Sequence, residues 1–153
     1  MLIAIEDPRT EDVQALLQKH LDFCHSVTPA EGVFALDVEK LRIPGTTLFG
    51  IRDAGMLLGV CALKLIDQTH AELKSMHTAA SSRQSGVGSR LLKHVLTYAA
   101  AGGITRVSLE TGAFDAFIPA RNLYSKFGFV ETGRFGDYLD TPTSTFMTRE
   151  LAG

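Results

Sequence analysis

Gly86 and Gly88 sit just before an apolar helical run and just after the polar stretch Ser81 to Ser85. Such a turn exposes consecutive backbone N–H groups at the positive end of a helix dipole, an anion site suited to a pyrophosphate. Neither glycine has a Cβ to keep a phosphate off the backbone, and Arg83 adds a full positive charge close by. A plain helix cap accounts for a glycine pair equally well. The segment is neither of two well-known phosphate loops: no Gly-Lys-Ser/Thr follows, and the third glycine of a dinucleotide fingerprint is missing. Metal chemistry has less support. Cys24 and Cys61 lack ligand spacing and fall inside hydrophobic patterns, as buried reduced thiols do. His20 and His25 are five apart and off any common helix face, so no two-histidine metal site is expected.

The chain carrying these residues has 153 positions, 45% hydrophobic and 21% charged, the make-up of one globular domain over residues 1–153. Fifteen basic against seventeen acidic side chains give a formal charge of −2. A nucleic-acid binder would show a basic excess to neutralise phosphates, and none exists. No apolar run approaches the roughly 18 residues of a membrane span. Acidic residues from Glu6 to Asp12 argue against a secretory segment, so a cytoplasmic protein without a membrane partner is expected.

Local patterns give the elements that must hold the glycine turn. Met1 to Glu6 alternates as a first strand, and Thr10 is a plausible N-cap for a helix with Val13, Leu16, Leu17, Leu21 and Cys24 on one side. A short helix is expected over Leu36 to Arg42. Thr46 to Arg52 and Met56 to Leu65 read as a hairpin around Asp53-Ala54-Gly55, with Ala71 to Thr78 as its next strand. Leu91, Leu92, Val95, Leu96 and Ala99 then form a helical stripe that Gly102-Gly103 ends. Arg106 to Glu110 is a strand, Pro119 suits the first turn of a short helix that Phe127-Gly128-Phe129 turns into another strand, and Thr145 to Leu151 is the last strand. A meander followed by a strand–helix–strand unit gives an α+β or mixed α/β, three-layered fold with one central sheet.

Arg83-Gln84-Ser85-Gly86-Val87-Gly88 resembles the Arg/Gln-x-x-Gly-x-Gly/Ala signature of the GCN5-related N-acetyltransferases (GNAT). Downstream, Ala120-Arg121-Asn122-Leu123-Tyr124-Ser125-Lys126-Phe127-Gly128-Phe129 resembles the family's A-x-x-L-Y-x-K-x-G-F. Glu72-Leu73-Lys74-Ser75-Met76, Leu109-Glu110-Thr111-Gly112 and Phe146-Met147-Thr148-Arg149 further resemble a small bacterial YsnE-like subgroup. The resemblance covers nearly the whole chain. It implies a mostly antiparallel sheet whose middle strands splay, with acetyl-CoA as co-substrate and no metal.

The resemblance also assigns roles. The strand ending Met76-His77-Thr78 would part from the one holding Ser108 to Thr111, and the pantetheine arm would use backbone groups of Met76 and Thr78. Amides of Gln84, Ser85, Gly86, Val87, Gly88 and Ser89, with Arg83 alongside, would hold the pyrophosphate. Tyr124 stands where many relatives protonate the departing thiolate. Relatives often carry an Asn seven residues before that Tyr; here the position is Phe117, and Asn122 is out of register.

Attack on a thioester needs a neutral amine, so a base or a water chain should take its proton. Glu72 is the first candidate, placed by period-two alternation on one strand face with Lys74, Met76 and Thr78. An exposed strand residue paired to Lys74 is the plain alternative. Glu110 is the second candidate, with a buried hydrogen-bonded carboxylate as its alternative. His77 is expected on the opposite strand face as a structural histidine, while His20 and His25 could line an acceptor pocket. Phe114 and Phe117 are expected to cover the cleft or pack on the sheet, and Lys64, Arg90 and Lys93 to be surface charges. The expected activity is transfer of an acetyl group to the primary amine of a small molecule, by direct attack in a ternary complex. A non-catalytic CoA-binding sensor, an enzyme acting on a protein N-terminus or lysine, O-acetylation and a homodimer all remain open.

Overall fold

The computed structural model describes residues 1–29, 38–82 and 85–151. Its strands are β1 (Leu2–Ile5), β2 (Thr46–Asp53), β3 (Met56–Leu65), β4 (His70–Thr78), β5 (Arg106–Gly112), β6 (Val130–Thr132) and β7 (Ser144–Glu150). The helices are α1 (Glu11–Val27), α2 (Val87–Ala101) and α3 (Ile118–Lys126). These match the elements expected from the sequence to within two residues at most ends. Of the short helix expected over Leu36 to Arg42, a 3₁₀ turn is seen at Lys40–Arg42, and Leu36 and Asp37 lie outside the described residues. Thr10 does precede α1, but its hydroxyl makes no capping bond; Glu11 and Asp12 supply the negative charge the helix start favours.

One seven-stranded sheet runs in the order β1-β2-β3-β4-β5-β7-β6. Strand β3 shows why there are three layers. Cys61 and Leu63 enter a core cluster with Leu91, Leu92 and Val95 of α2 and Tyr124 of α3. Val60 and Ala62 enter a second cluster with Val13, Leu16 and Leu17 of α1. Period-two alternation thus sends neighbouring side chains to opposite faces, and a helix layer must cover each.

All neighbouring strands are antiparallel except β4 and β5. Those two pair in parallel over four positions, from His70↔Arg106 to Leu73↔Leu109. Beyond Leu73 the ladder ends and the strands part. Near the same point β4 slips against β3: Ala62 faces Lys74 but Val60 faces His77, with Ser75 at φ 54°. This bulge adds one residue to β4 and resets its alternation.

Candidate active site

The parting of β4 and β5 opens a cleft of about 640 Å³. Its mouth is the start of α2. Gly86 takes φ 82°, a left-handed conformation that costs a residue with a Cβ about 1–2 kcal/mol. Arg90 N–H closes the first helical bond onto Gly86 O at 3.1 Å, so the amides of Val87, Gly88 and Ser89 precede the intrahelical ladder. A Cβ on Gly88 would stand 3.3 Å from Leu123 Cδ2 and 3.6 Å from Thr78 Oγ1 and Met76 Cε, so only glycine leaves that corner free. Gly86, Val87, Gly88, Ser89, Met76 and Thr78 all line the cleft. Ser85 is exposed, with its hydroxyl turned onto Ser82 O. Arg83 and Gln84 lie outside the described residues.

Helix α3 carries Tyr124 into the cleft from the α2 side. Arg121 Nη1 fixes its first turn by donating to Gly112 O (2.7 Å) and Phe114 O (3.1 Å). Tyr124 is buried and rests edge-on against Phe129. Burial raises its pKa, and Cys61, Glu110 and Cys24 raise it further, so the phenol stays protonated. Phe117 is buried over the end of β5, edge-on to Phe23 of α1; a Cβ on Gly112 would collide with its ring. It therefore walls the cleft, as expected. Phe114 and Asn122 are exposed and outside the cleft lining.

The far wall corrects the sequence-based alternation. Glu72 and Lys74 share a face, but Met76 packs onto the α2-side core and Thr78 stands beside Gly88. His77 instead joins the Glu72 face: its Nδ1 lies 3.1 Å from Nδ1 of His20 on α1. The bulge at Ser75 is the cause, since one inserted residue exchanges the faces of everything after it. His20 also stands 3.9 Å from Cys24 Sγ, and burial, then the neighbouring His77, hold its pKa down to about 4. Both histidines line the cleft, whereas His25 is exposed.

The two candidate carboxylates have different company. Glu72 is buried; its Oε2 accepts from Lys74 Nζ at 3.0 Å and from Tyr138 OH at 2.5 Å, and Lys74 also donates to Tyr138 at 2.7 Å. Glu110 accepts from Ser144 Oγ at 2.7 Å, and burial raises its pKa despite that bond. Tyr138 and Ser144 were not legible in the sequence. Tyr138 sits in the connection between β6 and β7, which has no periodicity to place it, and Ser144 reaches Glu110 only through strand pairing. Cys24 and Cys61 are free and buried, and burial raises both thiol pKa values, Cys24 to about 11. Lys64, Arg90 and Lys93 are exposed. Among the described residues no group of three or more His, Cys, Asp or Glu could hold a metal ion, and no helix is long and apolar enough to cross a membrane.

Residues 13–129 match the acetyltransferase (GNAT) family. The chain belongs to the GNAT family. Two GNAT relatives are similar along nearly all of it. The uncharacterised N-acetyltransferase YsnE of Bacillus subtilis is 41% identical over 151 residues, 99% of this chain and 100% of its own. The uncharacterised N-acetyltransferase YedL of Escherichia coli is 40% identical, over 97% of this chain and 94% of its own. Among solved structures, a proposed acyl-CoA N-acyltransferase from Klebsiella pneumoniae superposes with a TM-score of 0.85 at 23% identity, covering 99% of this chain and 97% of that one. A GNAT acetyltransferase from Elizabethkingia anophelis with acetyl-CoA bound gives a TM-score of 0.71 at 18% identity, covering 98% and 97%. The fold is the GNAT fold, and membership makes the protein an acyltransferase.

Proposed function

We propose that the protein is an acetyl-CoA-dependent N-acetyltransferase acting on the primary amine of a small molecule, by direct attack in a ternary complex. One observation carries this reading: a protonated tyrosine and a lightly bonded carboxylate, Tyr124 and Glu110, line one cleft whose mouth is a glycine turn at a helix start. The backbone suits a CoA thioester. The amides of Gly86, Val87, Gly88 and Ser89 would receive the pyrophosphate, with Ser85, Arg83 and Gln84 preceding them. The edge of β4 from Met76 to Thr78, unpaired toward β5, would receive the pantetheine arm. Acetyl-CoA supplies an already activated acyl carbon, so no metal is required.

This chain's residues do the rest. Tyr124 delivers a proton to the departing sulfur. Of the two carboxylates, Glu110 is the better base. Its raised pKa brings it toward neutrality, where a base works best, and one oxygen has no bond to a protein donor among the described residues. Glu72 is held by Lys74 and Tyr138 and acts as their anchor. A cleft of about 640 Å³ is of small-molecule size, which supports a small primary amine as the acceptor.

The test is thiol release across a panel of primary amines, alcohols and lysine peptides, with thermal shift by CoA. Steady release with small amines is expected, and so is a CoA-dependent rise in melting temperature that Gly86→Val and Gly88→Val both weaken. CoA binding with no release on any acceptor would favour a sensor module. Unchanged CoA affinity in both glycine variants would move the pyrophosphate elsewhere.

A further inference from the structure

Acetylation of an ammonium acceptor has a proton surplus. The nitrogen gives up two protons on becoming an amide, the C–N bond forms, and the C–S bond breaks with its electron pair on sulfur. Sulfur takes back one proton, and the other must leave the cleft. Half-buried Glu110 and buried Tyr124 can each hand on a proton, but Tyr124 ends the cycle needing its own back, and Glu110 must be emptied before the next amine arrives.

The cleft wall contains a further pair of proton carriers. His20 and His77 come from elements 57 residues apart and face each other through Nδ1 atoms 3.1 Å apart, with ring centroids 5.0 Å apart. An Nδ1–Nδ1 bond requires one ring to donate and the other to accept. The bonded pair can therefore take one added proton as an imidazolium bonded to an imidazole. A second would put N–H on both facing nitrogens and break the bond. Both rings are half-buried and line the cleft. Among the described residues, the titratable groups that line the cleft with the pair are Cys24 on α1, 3.9 Å from His20 Nε2, Glu72 and Lys74 on β4, Glu110 on β5 and Tyr124 on α3. Cys24 stays a thiol, Tyr124 a phenol, and Lys74 is paired to Glu72. Glu110, the proton source, lines the same cleft as Cys24 and the His20 end of the pair.

We propose that the His20–His77 pair is the one-proton outlet of the transfer reaction, taking the surplus proton released in the cleft and handing it to solvent. The inference rests on the acetyltransfer reading above. It gives His77 a function that a structural pin between α1 and β4 would not have.

The experiment is turnover by thiol release in dilute buffer for wild type, His20→Gln and His77→Gln, with and without added imidazole, as a function of pH. Melting curves and CoA thermal shifts run alongside. His77→Gln is expected to lose about tenfold or more in turnover on the acid side, to recover as pH rises, and to be rescued by imidazole, while KM for acetyl-CoA holds. His20→Gln should show the same pattern more weakly. Wild-type turnover in both variants, or an equal loss at every pH with no imidazole rescue, overturns the outlet. A titration of ¹⁵N-labelled histidines in the free enzyme adds an arm that needs no acceptor. One shared proton taken up before the pair separates is expected, and two independent uptakes overturn the proposal. If the wild type releases no thiol with any acceptor, the acetyltransfer reading falls and takes the outlet with it; failed rescue in an active enzyme removes the outlet alone.

Discussion

The two lips of the cleft carry one carboxylate each, and the lips differ in what they let that carboxylate do. On the β4 lip, Glu72 is locked between an ammonium and a phenol, both of them largely buried. On the β5 lip, Glu110 has one serine to hold it and a raised pKa. Glu72 lies opposite Ser108 in the parallel ladder, so Glu110 is only two positions further along the partner strand. Strand position therefore does not decide which carboxylate is available. Partners from a distant connection decide it.

The comparison breaks most sharply if Glu72 turns out to be the dispensable one. Glu72→Gln leaves Lys74 charged in a buried site, and removing one member of such a pair costs about 3 kcal/mol. Denaturant melts should show that loss at neutral and alkaline pH alike. A turnover defect that fades as pH rises, with stability intact, would give Glu72 the base role instead.

Tyr124→Phe keeps the ring against Phe129 and deletes one O–H. Turnover should fall about 10²-fold, with melting temperature and CoA affinity little changed. Near wild-type turnover would leave solvent to protonate the thiolate.

Glu110→Gln should act in two directions at once. Turnover at neutral pH should fall by about tenfold or more and partly recover in alkaline solution. Stability should rise. A carboxyl whose folded pKa exceeds its unfolded value binds more protons when folded, so its contribution is full at acid pH and lost as pH climbs through the raised value. Removing the charge at neutral pH abolishes that penalty, and the gain should vanish in acid. A destabilised Glu110→Gln would mean the carboxylate is structural after all.

The smallest effect belongs to His20, whose pKa is depressed from 6.5 to about 4. The unfolded chain takes up its proton first, so stability should fall as pH drops through that interval. His20→Gln should flatten the melting-temperature profile there. An unaltered profile would place the acid sensitivity on other groups.

What the residues alone disclosed divides along the same lines. The glycine turn was legible because a backbone-made site leaves its mark as glycine spacing, and Gly86 and Gly88 are where a Cβ would matter. The hairpin, α2 and α3 were legible from periodicity and from Pro119. The wall was not. Period-two counting placed Glu72 and Lys74 together correctly, then failed at Ser75, where a non-glycine residue adopts φ 54° without a local signal. His77 changed faces there and met a histidine that no local pattern connects to it. Tyr138 is one of two aromatics in an aperiodic connection, and only the folded chain brings it to Glu72.

The four-pair ladder between β4 and β5 has a mechanical consequence. On one side of it lie four antiparallel strands, on the other an antiparallel group of three, so this short parallel seam is what joins the two halves of the sheet. Its closed end is sealed by Thr69 O, which accepts from the amides of Thr105 and Arg106. Any breathing between the two halves must therefore pivot at that end and gape at the other. A molecule seated in the wide end splints both halves together. Amide exchange should slow on both sides of the seam when it binds, including in strands that never touch it.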